Sequence, residues 1–310
     1  MTALQAMATY LPEHAVPIED LADQLELTRM QVRLFQRFHG FSQIRLDSGG
    51  TLTDLLRAAV TRLDALRGQE HRVRYVLHAR SMPVAVPYPL NPLHDLCRKL
   101  GLGHALAFTV THHACATGLI AIDVAGQLLA ADGDPDALAL VLAGEKAFTL
   151  DAQLVPGTSI FGEASAACLV SGDGPRDRML AYATNFRGEF GGRLEELPDL
   201  AARYEQEYPE SLARVLLGAV EQAGLGLADI SLILPHNVNV VSWQRLCRKL
   251  GFPIGNVLLG NVPVTGHAFC ADLFINYLTA AERGLLKPGD RYLVGAAGQG
   301  ATFSAMVFEH

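Results

Sequence analysis

Residues 104–145 read HALAFTVTHHACATGLIAIDVAGQLLAADGDPDALALVLAGE. The apolar run at 104–111 has strand length and ends in Thr111-His112-His113-Ala114-Cys115. LIAIDVAGQLLAA follows as an apolar helix, Gly133-Asp134 breaks it, and ALALVLAGE at 137–145 reads as a buried strand. Strand, crossover helix and strand at this spacing imply a parallel sheet.

Working outward, the same grammar recurs. RVRYVLHA at 72–79 is strand-like and LHDLCRKLGL at 93–102 is a helix closed by glycine, with four prolines between them at 83–92 marking an irregular loop. In the second half SLIL at 231–234 reads as a strand, VSWQRLCRKLGF from Val241 as a helix and NVLLGN at 256–261 as a strand. Leu273–Leu286 then reads as a helix and RYLVGAAG at 291–298 as a strand. LCRKLG occurs at 96–101 and again at 246–251. Each copy precedes a Thr-X-His-Ala run, Thr111–Ala114 and Thr265–Ala268, which leads into an apolar helix, a Gly-Asp loop and a strand ending in Ala-Gly. The order and approximate lengths agree, so the chain reads as a duplicated α/β unit, with a shared site expected where the halves meet. The N-terminal stretch 18–38 reads as two helices and 53–66 as another. GEFGGRLEELPDLAARYEQEY at 188–208, polar and glycine-punctuated, reads as an exposed insertion.

Composition narrows the function classes. The chain has 310 residues, half of them hydrophobic, with 25 Lys+Arg against 32 Asp+Glu for a net charge of −7. That balance argues against nucleic acid as the main partner, although Arg72, Arg74 and Arg80, or Arg245, Arg248 and Lys249, offer small basic patches. No run reaches the ~18 apolar residues a membrane helix needs. The N-terminus has no basic region followed by an apolar core. Five cysteines without a CxxC pair fit free thiols in a reducing cytosol, so a cytoplasmic protein away from membranes is expected.

Three residues stand out chemically. Cys115 sits where a strand gives way to a helix, and the helix dipole and free amides there favour thiolate. On its own it reads as a nucleophile or as a buried structural thiol; Cys97, Cys168, Cys247 and Cys270 read as structural. His236 follows a strand end, in Pro235-His236-Asn237-Val238-Asn239, where parallel sheets build their sites, and Asn239 is a supporting candidate. His267 lies in the second-half counterpart of the Cys115 turn, where a histidine tends to stay neutral as base or donor. Either histidine alone could equally be structural. Together the three suffice for thioester chemistry. GAAGQGAT at 295–302 is followed by too little chain for a dinucleotide unit and reads as a turn whose amides face the site, with Gly298 and Gly300 supporting it. Gly162 reads as a close strand approach. His112, His113 and Cys115 lack metal-ligand spacing, so no metal is expected.

Taken in order, the Cys115 turn, Ile160–Ala166, His236–Asn239, Gly284–Asp290 and the turn Gly298–Ala305 resemble the thiolase superfamily, and within it the β-ketoacyl-acyl-carrier-protein synthase III branch. The resemblance runs from about residue 70 to the C-terminus. It implies an α/β, thiolase-like five-layered αβαβα fold of two pseudo-symmetric halves, 1–171 carrying the cysteine and 172–310 carrying the histidines, and a homodimer. It further implies acylation of Cys115, no cofactor, and acyl-CoA or acyl-carrier protein as substrate partner. His236 matches the family histidine. His267 stands where an asparagine is usual, Asn261 falling six residues too early, and Cys-His-His is the set of elongating ketosynthases. The backbone amides of Cys115 and Gln299 would form the oxyanion hole, with Gln299 in place of a glycine. The adenine-gripping Trp and Arg of the housekeeping enzyme are missing, Trp243 being the only tryptophan, which points to specialised metabolism. The leading expectation is decarboxylative Claisen condensation with a malonyl-thioester. The alternative is non-decarboxylating transfer to a hydroxyl or amine. A third, an idle subunit of a heterodimer, predicts no acylation.

Overall fold

A computed structural model describes residues 2–83, 86–191 and 197–310. Its strands are β1 (Ala3–Tyr10), β2 (Ala15–Pro17), β3 (Gln43–Arg45), β4 (Val73–Ala79), β5 (Leu106–Val110), β6 (Leu138–Gly144) and β7 (Leu154–Val155). They continue with β8 (Ser159–Ile160), β9 (Ser165–Ser171), β10 (Arg178–Phe186), β11 (Ile230–Pro235), β12 (Arg291–Gly298) and β13 (Thr302–Glu309). The helices are α1 (Arg29–Leu34), α2 (Leu52–Val60), α3 (Pro92–Lys99), α4 (Thr117–Asp132) and α5 (Leu150–Gln153). After them come α6 (Pro198–Gln222), α7 (Val240–Leu250), α8 (Val262–Thr265) and α9 (Asp272–Glu282).

Nine strands form one hydrogen-bonded sheet in the order β11-β12-β13-β10-β1-β9-β6-β4-β5. The duplication is visible in its directions. β4 runs parallel to β6 and β6 antiparallel to β9, just as β11 runs parallel to β12 and β12 antiparallel to β13. The halves join at β1 and β10 through one register pair, Ala3 with Arg178.

Strand alternation explains the layers. Leu77, Ala79, Val141, Cys168 and Val170 face the same core as Leu234, Val294, Met306 and Phe308, and the apolar sides of α4 and α9 fill it. The residues between them, such as Leu140, Leu142 and Leu169, face α2 and α3, while Ile233, Leu293, Ala305 and Val307 face α6 and α7. Strands buried on both sides read as continuous apolar runs, so two helical layers lie outside and one between. This is the five-layered arrangement expected. Truncating one such leucine, for example Leu140→Ala, should cost ~2–5 kcal/mol.

Several sequence expectations need correction. NVLLGN is not a strand: Val257 makes a single bridge to Ile233, hemmed in by Gly255, Gly260 and Pro263. Ala114–Asp132 is long and apolar enough to cross a membrane by length and composition, with mean hydropathy 1.6, contrary to the expectation that no run would be. Its buried side, Leu119, Ile122, Ala125 and Leu129 included, is wedged in the central core, which explains its apolarity. The N-terminal pair of helices is shorter than expected, a 3-10 turn at Ile18–Leu21 and then α1 with a π-helical turn at Phe35–His39. The first basic patch is dissolved: Arg80 is buried against Glu145, and Arg72 and Arg74 pair with Asp136 and Asp134. In the second, Lys249 is taken by Glu210 at 2.5 Å.

Candidate active site

Cys115 lies in a 3-10 turn, Ala114–Ala116, that carries β5 into α4. The bend is tight: His112 and Ala114 adopt φ of +72° and +44°, a left-handed region that disfavours side-chain-bearing residues. Thr117 closes it, its Oγ1 donating to the Ala114 carbonyl at 2.7 Å. The partly buried thiol packs with Ala147, Phe161 and Phe269. Ser81 Oγ donates to its Sγ at 3.7 Å and lies 3.4 Å from Cys270 Sγ. Cys97, Cys168, Cys247 and Cys270 are buried free thiols.

The second-half turn runs from α8 through a 3-10 turn, Phe269–Ala271, into α9. His267 is held there by a short backbone pairing with the end of β8 and the residues just after it, bridging to Phe161. Its N–H donates to the Ile160 carbonyl at 3.0 Å, and its own carbonyl accepts from Gly162 at 3.1 Å. A Cβ on Gly162 would stand 2.2 Å from the Thr265 carbonyl, so only glycine permits this approach. Phe161 lies 4.7 Å from the His267 ring, centroid to centroid.

Asp272, the first residue of α9, was not singled out in the sequence. Its Oδ2 accepts from His267 Nδ1 at 2.5 Å and from the Asn237 amide at 2.6 Å. Its Oδ1 accepts from the Ala268 amide at 2.8 Å and from Asn237 Nδ2 at 3.2 Å. Asn237 is fixed in turn by Asn276 Nδ2, and Asn276 by Asn261. An acidic residue in the first turn of a helix looks like ordinary dipole compensation, which hides this role. Burial pulls the His267 pKa down, but the nearby Cys115 and Asp272 outweigh it, and it is raised to about 10. With Nδ1 on Asp272, Nε2 is left for the hydrogen bond with Cys115. This direction runs against the expectation of a neutral His267: the neighbouring Cys115 and Asp272 outweigh desolvation.

His236 follows β11 as expected, its N–H donating to the Gly295 carbonyl at 3.0 Å. Trp243 Nε1 donates to its carbonyl at 2.9 Å. Its ring lies 5.8 Å from that of His267, at 72°. Burial, reinforced by the charge on His267, lowers its pKa to about 3, so this imidazole is neutral. Nε2 is 3.2 Å from the Tyr208 hydroxyl, while Nδ1 is buried without a hydrogen-bond partner.

Tyr208 comes from the segment read as an exposed insertion. Residues 192–196 lie outside the described residues, but 198–208 begin α6, and Tyr204 and Tyr208 turn inward onto Phe190 and Phe303. The tyrosine spacing of four was the available signal.

Asn239 does not face the thiol. Its Oδ1 caps α7 by accepting from the Ser242 amide at 2.7 Å, and its Nδ2 donates to the Thr158 carbonyl. The turn from β12 to β13 comes against the cysteine: a Cβ on Gly298 would stand 2.1 Å from the His113 carbonyl. Gln299 next to it is exposed and Gly300 partly so. Among the described residues no three His, Cys, Asp or Glu side chains are grouped to hold a metal ion.

The profile of 3-oxoacyl-[acyl-carrier-protein] synthase III, C-terminal part, matches residues 220–310. The β-ketoacyl-[acyl-carrier-protein] synthase III of Ruegeria pomeroyi is 25% identical, over 98% of this chain and 97% of its own. Over nearly its whole length the chain is similar to β-ketoacyl-[acyl-carrier-protein] synthase III. It is an acyltransferase of that kind. Two solved structures bear out the fold of this ketosynthase-III-like chain. The acyltransferase ChlB3 superposes with a TM-score of 0.87 at 20% identity, covering 99% of this chain and 97% of its own. The 3-oxoacyl-[acyl-carrier-protein] synthase III of Aquifex aeolicus does so with 0.82 at 22%, covering all of both chains.

Proposed function

We propose that this ketosynthase-III-like chain takes an acyl group from a thioester onto Cys115 and passes it, without decarboxylation, to a hydroxyl or amine. The observation that carries this reading is the line Cys115–His267–Asp272. A carboxylate bonded to Nδ1 of a histidine whose other nitrogen serves a thiol is the arrangement of an activated nucleophile. His267 holds the proton of Cys115, leaving a thiolate. The thiolate attacks the thioester carbonyl, and His267 returns that proton to the departing thiol. The acceptor then gives its proton to His267 as its oxygen or nitrogen attacks the acyl carbon, and Cys115 leaves as thiolate. The amides of Cys115 and Gln299 would hold the oxyanion, a role supported by the tight seating of Gly298 on the cysteine turn. The donor would be acyl-CoA or an acylated carrier protein, with no cofactor required.

We further infer a homodimer, supported by the free edge of β5 at the end of the sheet, where Leu106 is exposed.

Decarboxylative condensation is the second reading. It is favoured by the paired imidazoles, His236 neutral and 5.8 Å from His267, which resemble the donors of an enolate pocket. Intact-protein mass spectrometry separates the two after loading with a panel of acyl-CoA thioesters, wild type beside Cys115→Ala. Transfer predicts a mass gain absent from the variant, stable to malonyl-CoA and discharged by an amine or alcohol. Carbon dioxide release with loss of the adduct on adding malonyl-CoA would sink it in favour of condensation.

A further inference from the structure

His236 is the family-matched histidine, yet its Nε2 does not stand open. The Tyr208 hydroxyl sits 3.2 Å from it, brought there by α6. Tyr208 is well fixed: its ring packs edge-on against Phe303 at 5.5 Å and Tyr204 at 5.7 Å. His236 is equally immobile, anchored at its backbone by Gly295 and Trp243 and packed against the Trp243 ring at 5.7 Å. Nδ1 is buried and unpartnered, so Nε2 is the one ring atom through which His236 can exchange a proton. We propose that Tyr208 is a positioning residue of the second half-reaction, covering His236 Nε2 so that hydroxyl and imidazole meet the acceptor as one unit.

The argument holds for either tautomer. If Nε2 carries the proton, it donates to the Tyr208 oxygen and the phenolic hydrogen is free to face the acceptor. If Nε2 is bare, the phenol donates to it and the phenolic oxygen is left facing the acceptor, whose reacting proton still passes to His267. In both cases His236 reaches the acceptor only through the hydroxyl. Burial and the neighbouring Tyr204 and Cys115 raise the Tyr208 pKa well above its usual value, so the hydroxyl stays protonated. The same contact denies Nε2 to an enolate oxygen, consistent with transfer to a hydroxyl or amine, the reading on which this inference rests.

The test uses Tyr208→Phe, His236→Gln and the double variant. Two rates are followed by intact mass: loading of Cys115 by acetyl-CoA, and discharge of the acetyl-enzyme by 2-aminoethanol, which offers both an amine and a hydroxyl. Tyr208→Phe keeps the ring and removes only the oxygen. Loading should stay within ~2-fold of wild type, while discharge slows by ~10-fold or more. His236→Gln should slow discharge comparably, and the double variant should be no slower than the slower single one, because the two groups act as a unit. Discharge unaffected by Tyr208→Phe, loading and discharge falling together, or losses that multiply in the double variant would each overturn the proposal. Failure of wild-type protein to load would instead overturn the acyl-enzyme reading, and the role of Tyr208 with it.

Discussion

The two turns that open α4 and α9 share much of their backbone and differ in chemistry. In each, a left-handed residue precedes a 3-10 turn that opens a long helix: His112 at φ +72° in the first and Gly266 at +67° in the second. Ala114 and Phe269, at +44° and +53°, begin the two 3-10 turns, and the helices start at Thr117 and Asp272. Aligned by these elements, the counterpart of Cys115 is Cys270, not His267. Cys270 is buried, donates to the Ala114 carbonyl at 3.3 Å, and has its pKa pushed well up by burial. One thiol is thus partly exposed beside an imidazole, and the other is sealed as packing. The second turn contributes its chemistry through one extra residue, His267, and through Asp272 where the first turn has Thr117. Duplication supplies two helix starts, and in the proposed reaction one carries the nucleophile and the other its proton acceptor.

The largest effect should separate the two thiols. Cys115→Ala is expected to abolish acyl loading, while Cys270→Ala should load within ~3-fold of wild type. Equal losses in both would erase the distinction between the turns. Next comes Asp272→Asn, which keeps the size and removes the charge that raises His267. Transfer should drop roughly 10²–10⁴-fold. Its alkaline limit should move to lower pH, because the His267 proton is then lost earlier.

Gly298→Ala tests the contact between the last hairpin and the cysteine turn. With a Cβ only 2.1 Å from the His113 carbonyl, backbone must shift. We expect a loss of ~1–3 kcal/mol in denaturant unfolding together with slower loading.

The two imidazoles sharpen the comparison through pH. His236 has its folded pKa lowered from 6.5 to about 3, so the stability it contributes is present above 6.5 and is lost as pH falls towards 3. His267 is raised from 6.5 to about 10, so its contribution is complete below 6.5 and disappears as pH rises through 10. Thermal unfolding should accordingly flatten on the acid side in His236→Gln and on the alkaline side in His267→Gln. The smallest effect belongs to Asn239→Ala, which should cost ~1 kcal/mol as a lost helix cap and leave loading unchanged.

The layered fold was legible because strands buried on both faces leave continuous apolar runs, and because LCRKLG and the Thr-X-His-Ala turns mark the repeat. Cys115 and His236 follow β5 and β11 as their sequence positions suggested, whereas His267 follows the short helix α8 and not a strand. Asp272 was not legible, because its partner His267 is set by the fold of the turn rather than by a motif. Tyr208 was hidden by the polar residues around it, which cover the outer side of α6 while its two tyrosines face in. NVLLGN misled because three successive apolar residues have strand composition whether or not a neighbouring strand offers more than one bridge. The upward pull on His267 was missed because sequence shows the helix terminus but not that the fold sets Cys115 and Asp272 beside the ring.

The most direct test of the account is the protonation state of His267, read from the nitrogen chemical shifts of ¹⁵N-histidine-labelled protein at pH 8. The account predicts a doubly protonated imidazolium for His267 in wild type, reverting towards neutral in Cys115→Ala and in Asp272→Asn. A neutral, singly protonated His267 in wild-type protein at pH 8 would contradict it.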